Sequence, residues 1–228
     1  MKRLFIWSCQ LIGHLLLFVI GWKIPEESSI ENLFKHPQVV CVFSHSSYFD
    51  IIILFIYMLL HPTYLNKVCV LVMPQAFKHL GPLLRFFNCL EAPRKEDRNS
   101  NSIQRILEQL KQREQFLFLL SPKGTIHMSE WRTGYYTFAS SLEIPIAVAG
   151  LDYQEKIVKL FEPRFYQSRE EAEVKCKEQL RSIIPLHMEG EYGPFISESE
   201  DLISLVRWTR LLTCTLIGLL GTYLFKIL

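Results

Sequence analysis

The pattern of hydrophobic and polar residues divides the chain into two kinds of segment that alternate along it. Short, continuous apolar runs are typical of strands buried on both faces, and they occupy residues 38–43, 68–73, 116–120 and 144–149. Longer segments that favour helices lie between or after them, at residues 50–60, 74–87, 99–111, 134–139 and 168–183. Strands separated by helices predict an α/β fold, here a single domain with a mostly parallel central sheet.

Both ends of the chain are more apolar than its middle. Residues 5–22 form a run of eighteen in which only Gln10 and His14 are clearly polar, and residues 211–225 form a second run. A membrane-spanning helix needs about 20 apolar residues, with about 17 as the lower limit. The pattern therefore favours membrane attachment through the two ends. The alternative is that both runs are helices of a large core.

These runs divide the chain into three parts. We expect an N-terminal, apolar, membrane-associated helix at residues 1–24 and an α/β domain at residues 25–195. A C-terminal helix, a possible membrane anchor, is expected at residues 196–228.

Composition and charge narrow the class of protein further. Hydrophobic residues make up 49% of the chain and charged residues 21%, which excludes a disordered protein. The net charge is +2 and no stretch carries a sustained row of Lys and Arg, so nucleic acid is not an expected partner. The six Cys are scattered, with no C-x-x-C pair and no His at zinc-ligand spacing. We therefore expect reduced thiols and no metal site.

His45 and Asp50 lie where the first predicted strand ends and a helix begins, the edge at which open α/β sheets bind ligands. On one continuous helix, a spacing of five residues would place the two side chains about 140° apart. They meet only if His45 belongs to a turn and Asp50 to the helix, and Ser46 and Ser47 supply turn chemistry between them. Such a pair suits general base catalysis. Taken alone the match is weak, because a His near a strand end is more often a packing or capping residue.

Two other polar segments are candidates for substrate binding. Residues 121–125, Ser-Pro-Lys-Gly-Thr, follow a buried strand and predict a sharp turn whose backbone N–H groups suit an oxyanion or a phosphate. Residues 91–98 include the guanidinium groups of Arg94 and Arg98, which suit a phosphate or carboxylate. Taken alone, the first segment is more typical of an ordinary turn and the second of a solvated charged loop.

The order of these segments resembles the glycerophospholipid acyltransferase family, the relatives of 1-acylglycerol-3-phosphate O-acyltransferase. The motifs are His-x-x-x-x-Asp at 45–50, Gly-Pro at 81–82 with the arginine-bearing loop, Pro-x-Gly-Thr at 122–125 and Ile-Pro-Ile at 144–146. The resemblance is closest to a small bacterial-type branch, whose Trp-Lys-Thr-Gly-Phe-Tyr-Tyr-Ile-Ala and Asp-Tyr segments correspond to residues 131–139 and 152–153. It covers roughly residues 38–165.

The resemblance implies an enzyme, and the apolar ends and reduced thiols favour one that is membrane-bound with its site facing the cytosol. It would transfer a fatty acyl group from acyl-CoA or acyl-ACP, a co-substrate and not a bound cofactor, to the hydroxyl of a lysophospholipid or glycerol-type acceptor. Attack would be direct, without an acyl-enzyme. His45 resembles the family's general base and Asp50 its orienting carboxylate. A hydrophobic groove for the acyl chain is expected beside His45.

The resemblance also implies substrate-binding residues. Arg94, or Arg98 if the loop is shifted, corresponds to the arginine that holds the acceptor's head group. Lys123, Gly124 and Thr125 correspond to the third motif.

The third motif departs from the family pattern Pro-Glu-Gly-Thr-Arg at two positions. Lys123 replaces the Glu and Ile126 replaces the Arg. One interpretation is an altered acceptor, with Lys123 contacting an anionic head group. The alternative is a catalytically impaired membrane scaffold that retains the fold. The intact His45 and Asp50 favour the first interpretation. A serine hydrolase is a weaker hypothesis, because the chain has no Gly-x-Ser-x-Gly motif.

Overall fold

Helices and strands follow the alternation of the sequence. The computed structural model describes residues 2–47, 49–93, 100–124 and 130–186. The elements are α1 (Lys2–Ile20), α2 (Glu27–Leu33), β1 (Gln38–Phe43), α3 (Phe49–Leu60), β2 (Val68–Val72), α4 (Pro74–Phe86), β3 (Leu90–Glu91), α5 (Ser100–Lys111), β4 (Phe116–Leu120), α6 (Gly134–Leu142), β5 (Ile146–Asp152), β6 (Ile157–Arg164) and α7 (Arg169–Leu180). The predicted α/β fold with a mostly parallel sheet is confirmed.

The sheet places β1 between two parallel neighbours. Its strand order is β3-β2-β4-β1-β5-β6, and β6 alone among these strands runs antiparallel to its neighbour. Val42 of β1 pairs with Leu120 of β4 on one side and with Val148 of β5 on the other. A strand paired on both edges and covered on both faces needs apolar side chains throughout, which is why β1 is a continuous apolar run. The carboxyl ends of β1, β4 and β5 therefore lie side by side.

Helices cover both faces of the sheet. One face packs against α5, α6 and α7, and its core includes Val40, Val42, Phe118, Leu110 and Phe138. The other face carries Cys41 and Phe43 and packs against α2 and α3. Because helices cover both faces of the sheet, polar side chains can gather where the strands end.

Three elements were not predicted from the sequence: α2, β3 and β6. The segment that forms β6 contains Lys159, Glu162 and Pro163 among its apolar residues, and its burial is correspondingly partial. An edge strand tolerates this composition, because one side of its backbone makes no ladder hydrogen bonds.

The predicted N-terminal membrane span is not supported. Among the described residues, no helix has both the length and the apolar character to cross a bilayer. Helix α1, with 19 residues, buries one face against α3: Cys9 and Leu17 are buried, and a Cβ on Gly13 would lie 2.9 Å from Leu60 Cδ2. The predicted C-terminal helix at 196–228 lies outside the described residues.

Candidate active site

The carboxyl end of β1 leads into a turn that β5 holds close. The Ser44 amide donates to the Ala149 carbonyl at 3.1 Å, so the pairing continues one residue beyond the strand. Gly150 permits this approach, because a Cβ there would overlap Ser44 Oγ and lie 2.7 Å from Ile183 Cδ1. His45 therefore follows a fixed stretch of backbone.

The side chains of His45 and Asp50 are in contact. His45 Nδ1 lies 3.1 Å from Asp50 Oδ2, and the side chains are 13% and 1% exposed, respectively. His45 belongs to the turn and Asp50 to the first turn of α3, as a spacing of five residues requires. When Nδ1 carries the proton and donates it to the carboxylate, the lone pair that can accept a proton is on Nε2. The geometry therefore suits a general base.

The loop between the two residues is closed by Ser47. The Ser47 hydroxyl accepts from the Phe49 amide and the Ser47 carbonyl accepts from the Asp50 amide, each at 3.1 Å. These bonds satisfy backbone donors at the start of α3, as a capping residue does. The turn chemistry expected from the two serines thus brings Asp50 back towards His45.

Asp50 is held by four donors among the described residues. Its Oδ2 accepts from the amides of Ser46 at 2.7 Å and Ser47 at 2.9 Å, in addition to His45. Its Oδ1 accepts from the Tyr153 hydroxyl at 2.5 Å. Such charge-assisted bonds compensate a buried carboxylate for its lost hydration. They also fix its orientation relative to the imidazole.

Sequence reasoning missed Tyr153 as a partner of this pair. The residue directly follows β5, and its amide donates to the Ile184 carbonyl at 2.8 Å. Its ring meets Trp22 edge-on, with centroids 5.1 Å apart. The available signal was the Asp-Tyr dipeptide, to which the family resemblance assigned no role.

The neighbouring Asp152 anchors the same stretch of chain. It is fully buried, pairs with Lys159 Nζ at 2.7 Å and accepts from the amides of Glu155 at 2.8 Å and Ile184 at 3.3 Å. Burial alone would raise the pKa of Asp152, but the bonds from Glu155, Lys159 and Ile184 hold that pKa below its ordinary value. The chain that carries Tyr153 is therefore tied down on both sides of the strand end.

The third-motif turn lies at the same edge of the sheet as His45. The final residue pair of the β1–β4 ladder is Val42 with Leu120, and His45 and Lys123 each follow three residues later. Neighbouring strands are about 4.8 Å apart, so the two turns leave the sheet side by side. The structure thus brings Lys123 and Gly124 to the edge occupied by the histidine.

Arg132 packs against this turn and was not predicted from the sequence. Gly124 has φ +75°, and a Cβ there would lie 3.0 Å from Arg132 Nη1. The Arg132 amide donates to the Pro122 carbonyl at 2.8 Å, which folds residues 130–132 back onto the turn. Two cationic side chains, Lys123 and Arg132, therefore lie at this turn. The resemblance matched Arg132 to a lysine without giving it a function.

Some predicted site residues lie outside the described part of the chain. They are Arg94, Arg98 and Thr125. The described site residues are His45, Asp50, Lys123 and Gly124, and their roles in binding or catalysis stay predictions.

An apolar cavity of about 100 Å³ lies between the sheet and the helices α2 and α3. Phe43 and Ala149 form part of its wall on the sheet side, and Leu54 and Met58 form part of it on α3. Phe43 precedes His45 by two residues, so the cavity borders the strand end that carries the histidine.

A family model described as Acyltransferase matches residues 25–150, more than half of the chain, and this span includes His45, Asp50 and Lys123. No curated protein matches the chain.

Proposed function

Because the chain belongs to the acyltransferase family, we propose that it transfers a fatty acyl group from acyl-CoA or acyl-ACP to a lysophospholipid or glycerol-type hydroxyl. The observation that carries the proposal is the contact between His45 and Asp50 at the carboxyl end of β1. In this reaction His45 Nε2 takes the proton of the acceptor hydroxyl. The oxygen of that hydroxyl attacks the thioester carbonyl at the same time. The C–S bond then breaks, and the leaving thiolate takes the proton from the imidazolium, which Asp50 stabilises.

The state of the cysteines supports direct attack without an acyl-enzyme. All five cysteines of the described residues are buried, and burial raises the pKa of each: Cys9, Cys41, Cys69, Cys89 and Cys176. For Cys89 and Cys176 the value reaches about 12. The thiolate is the nucleophilic form, so thiols of this kind are poor nucleophiles near neutral pH. The acceptor hydroxyl is therefore the proposed nucleophile.

The apolar cavity beside β1 supports a hydrocarbon substrate. Its walls include Phe43, Leu54, Met58 and Leu119, and they offer dispersion contacts but few hydrogen bonds. We assign it to part of the acyl chain of the thioester, whose carbonyl would then lie near His45.

The cations at the third-motif turn support an acceptor with an anionic head group. Lys123 stands where the family pattern has Glu, and Arg132 packs on Gly124 beside it. A guanidinium and an ammonium together suit a phosphate, since one offers a planar fork of donors and the other a compact charge.

Exchanging the charge at Lys123 tests the proposed reaction and its acceptor. We expect purified wild-type protein to acylate a phosphate-bearing lysolipid, and Lys123→Glu to raise the KM for that acceptor at least tenfold through like-charge repulsion. The KM for an uncharged monoacylglycerol should stay within about twofold in the same variant. Mass spectrometry of the acylated products measures both.

Two outcomes would contradict this proposal. Product formed by Lys123→Glu alone would mean that the natural chain is an impaired scaffold that retains the fold. Free fatty acid released without any acceptor would mean that it is a hydrolase.

The exposed face of α1 supports attachment to a membrane surface. Large apolar side chains recur along one face of the helix: Leu4, Trp7, Leu11, Leu15 and Phe18, with Trp7 75% and Phe18 83% exposed. The helix contains no acidic residue, the exposed cation Arg3 lies in its first turn, and the exposed cation Lys23 follows its last turn. An apolar stripe of this kind on a helix with basic ends is typical of helices that lie in the headgroup region of anionic bilayers. We propose that α1 binds the bilayer in this way.

Vesicle binding tests the proposed role of α1. Wild-type protein should co-sediment with vesicles that contain anionic phospholipid, and Leu11→Glu combined with Phe18→Glu should reduce the bound fraction about tenfold or more. The matched control is Val174→Glu, which changes a 63% exposed apolar residue of α7 and should leave binding unchanged. Equal binding by the α1 variant and wild type would contradict the assignment.

A further inference from the structure

The hydroxyl of Tyr153 contacts the proposed catalytic pair from beyond the residues that the family model matches. The family match ends at residue 150, and Tyr153 lies beyond it. The donor and acceptor are 103 residues apart in sequence. We propose that Tyr153 is a positioning residue whose bond to Asp50 Oδ1 keeps Oδ2 directed at His45. The expected effect on kcat rests on the proposed acyl transfer, whereas the expected effect on the His45 tautomer does not.

The two oxygens of the Asp50 carboxylate have different partners. Oδ2 accepts from His45 and from two amides of the preceding turn. Among the described residues, the donor to Oδ1 is the Tyr153 hydroxyl. The terminal torsion of an aspartate is broad, so a carboxylate held at one oxygen can rotate about Cβ–Cγ. The bond from Tyr153 opposes that rotation.

Loss of this donor would leave a buried acceptor atom without its partner. Asp50 is 1% exposed, so water does not readily replace the hydroxyl. An unsatisfied buried acceptor is unfavourable, and the carboxylate would turn to share the remaining donors between its oxygens. The bond from His45 Nδ1 would then lengthen, and the Nδ1–H tautomer would lose part of its advantage.

Tyr153 is itself well fixed, as a positioning residue must be. Its amide bonds to Ile184, its ring packs edge-on against Trp22, and Asp152 beside it is fully buried and paired. A donor held by backbone, ring and neighbour adds orientation without a large loss of conformational entropy at the moment of reaction.

Replacement of the hydroxyl alone tests the proposal. Tyr153→Phe should lower kcat for acyl transfer about 10- to 100-fold with the KM for the thioester unchanged, since the ring contacts remain. In NMR spectra of protein with ¹⁵N-labelled histidine, wild type should show His45 as the Nδ1–H tautomer. The variant should show an increased share of the Nε2–H tautomer.

Tyr57→Phe is the matched control for this experiment. Tyr57 also presents its ring to Trp22, with centroids 6.5 Å apart, but its hydroxyl donates to the Lys23 carbonyl and not to Asp50. The control therefore removes a phenolic hydroxyl from the same aromatic group, and the His45 tautomer should stay as in wild type. An identical tautomer population in wild type and Tyr153→Phe would overturn the proposal.

A double variant shows whether Tyr153 acts through Asp50. In an Asp50→Asn background, adding Tyr153→Phe should change kcat less than about twofold, because the carboxylate to be positioned is already gone. If Tyr153→Phe lowered kcat by the same factor in the Asp50→Asn background as in wild type, the proposed role would be overturned. The tautomer measurement needs no turnover, so an inactive wild-type protein would contradict the proposed function and still leave the positioning of His45 measurable.

Discussion

His45→Ala is expected to lower the rate of acyl transfer by about 10²- to 10⁴-fold, the range that a general base contributes. The histidine lies at the carboxyl end of β1 and carries the proposed proton acceptor, Nε2. The fold should persist, because bonds from Ser44, Ser46 and Ser47 hold the turn without the imidazole. Initial rates of acylated product and the thermal unfolding midpoint measure the two effects separately.

His36→Ala is the matched control for this variant. His36 precedes β1 by two residues, at the opposite end of the strand, and its ring meets Phe165 with centroids 5.8 Å apart. The change removes an imidazole of similar partial burial from the other edge of the sheet, so the rate should stay within about twofold of wild type. A wild-type rate in His45→Ala would remove the histidine from the mechanism.

Asp50→Asn should be about as damaging as His45→Ala, with kcat reduced by up to about 10⁴-fold. An amide carries no negative charge to stabilise the imidazolium, and it offers one acceptor oxygen where the carboxylate offers two. The amides of Ser46 and Ser47 both point at Oδ2, so they compete with His45 for that single oxygen. If the NH₂ group turns to His45, the imidazole must adopt the tautomer that cannot act as a base at Nε2.

The kinetics of combined variants test whether the pair acts as a unit. His45→Ala with Asp50→Asn should be about as slow as His45→Ala alone, since residues that serve one step lose their effect together. The measurement compares the rate of product formation of the double variant with the rates of the two single variants. Multiplication of the two separate losses would show that Asp50 has a function other than supporting His45.

Features that depend on neighbouring residues were predictable from the sequence. The run at 38–43 predicts β1 because a strand between two parallel neighbours is mostly apolar, and here only Gln38 at its start is polar. The meeting of His45 and Asp50 follows from their spacing across a strand-to-helix turn. Both predictions use only residues that lie within a dozen positions of one another.

Features that depend on distant segments were not predictable. Tyr153 is 103 residues from Asp50, and no periodicity links a strand end to a helix so far away. Arg132 is only eight residues from Gly124, but no periodic pattern indicates that its side chain packs against that glycine. Pattern reasoning found the turns but not the side chains that other segments bring to them.

The N-terminal helix shows the limit of apolarity as a signal. Residues 5–22 form a run of eighteen mostly apolar residues, yet Cys9, Gly13 and Leu17 of α1 lie against or beneath other parts of the protein. Gly13 permits the close approach of Leu60. One face therefore packs against the protein and the other is exposed, a division that the count of apolar residues does not reveal.

The ratio of thiol released to acceptor acylated tests whether His45 catalyses acyl transfer to a hydroxyl. Purified protein is supplied with an isotope-labelled acyl thioester and a phosphate-bearing lysolipid, and free thiol and labelled product are quantified together. Wild type should form one acylated acceptor for each thiol released. With His45→Ala, neither free thiol nor acylated acceptor should rise above background. Thiol release without acylated acceptor, or equal product from His45→Ala, would contradict it.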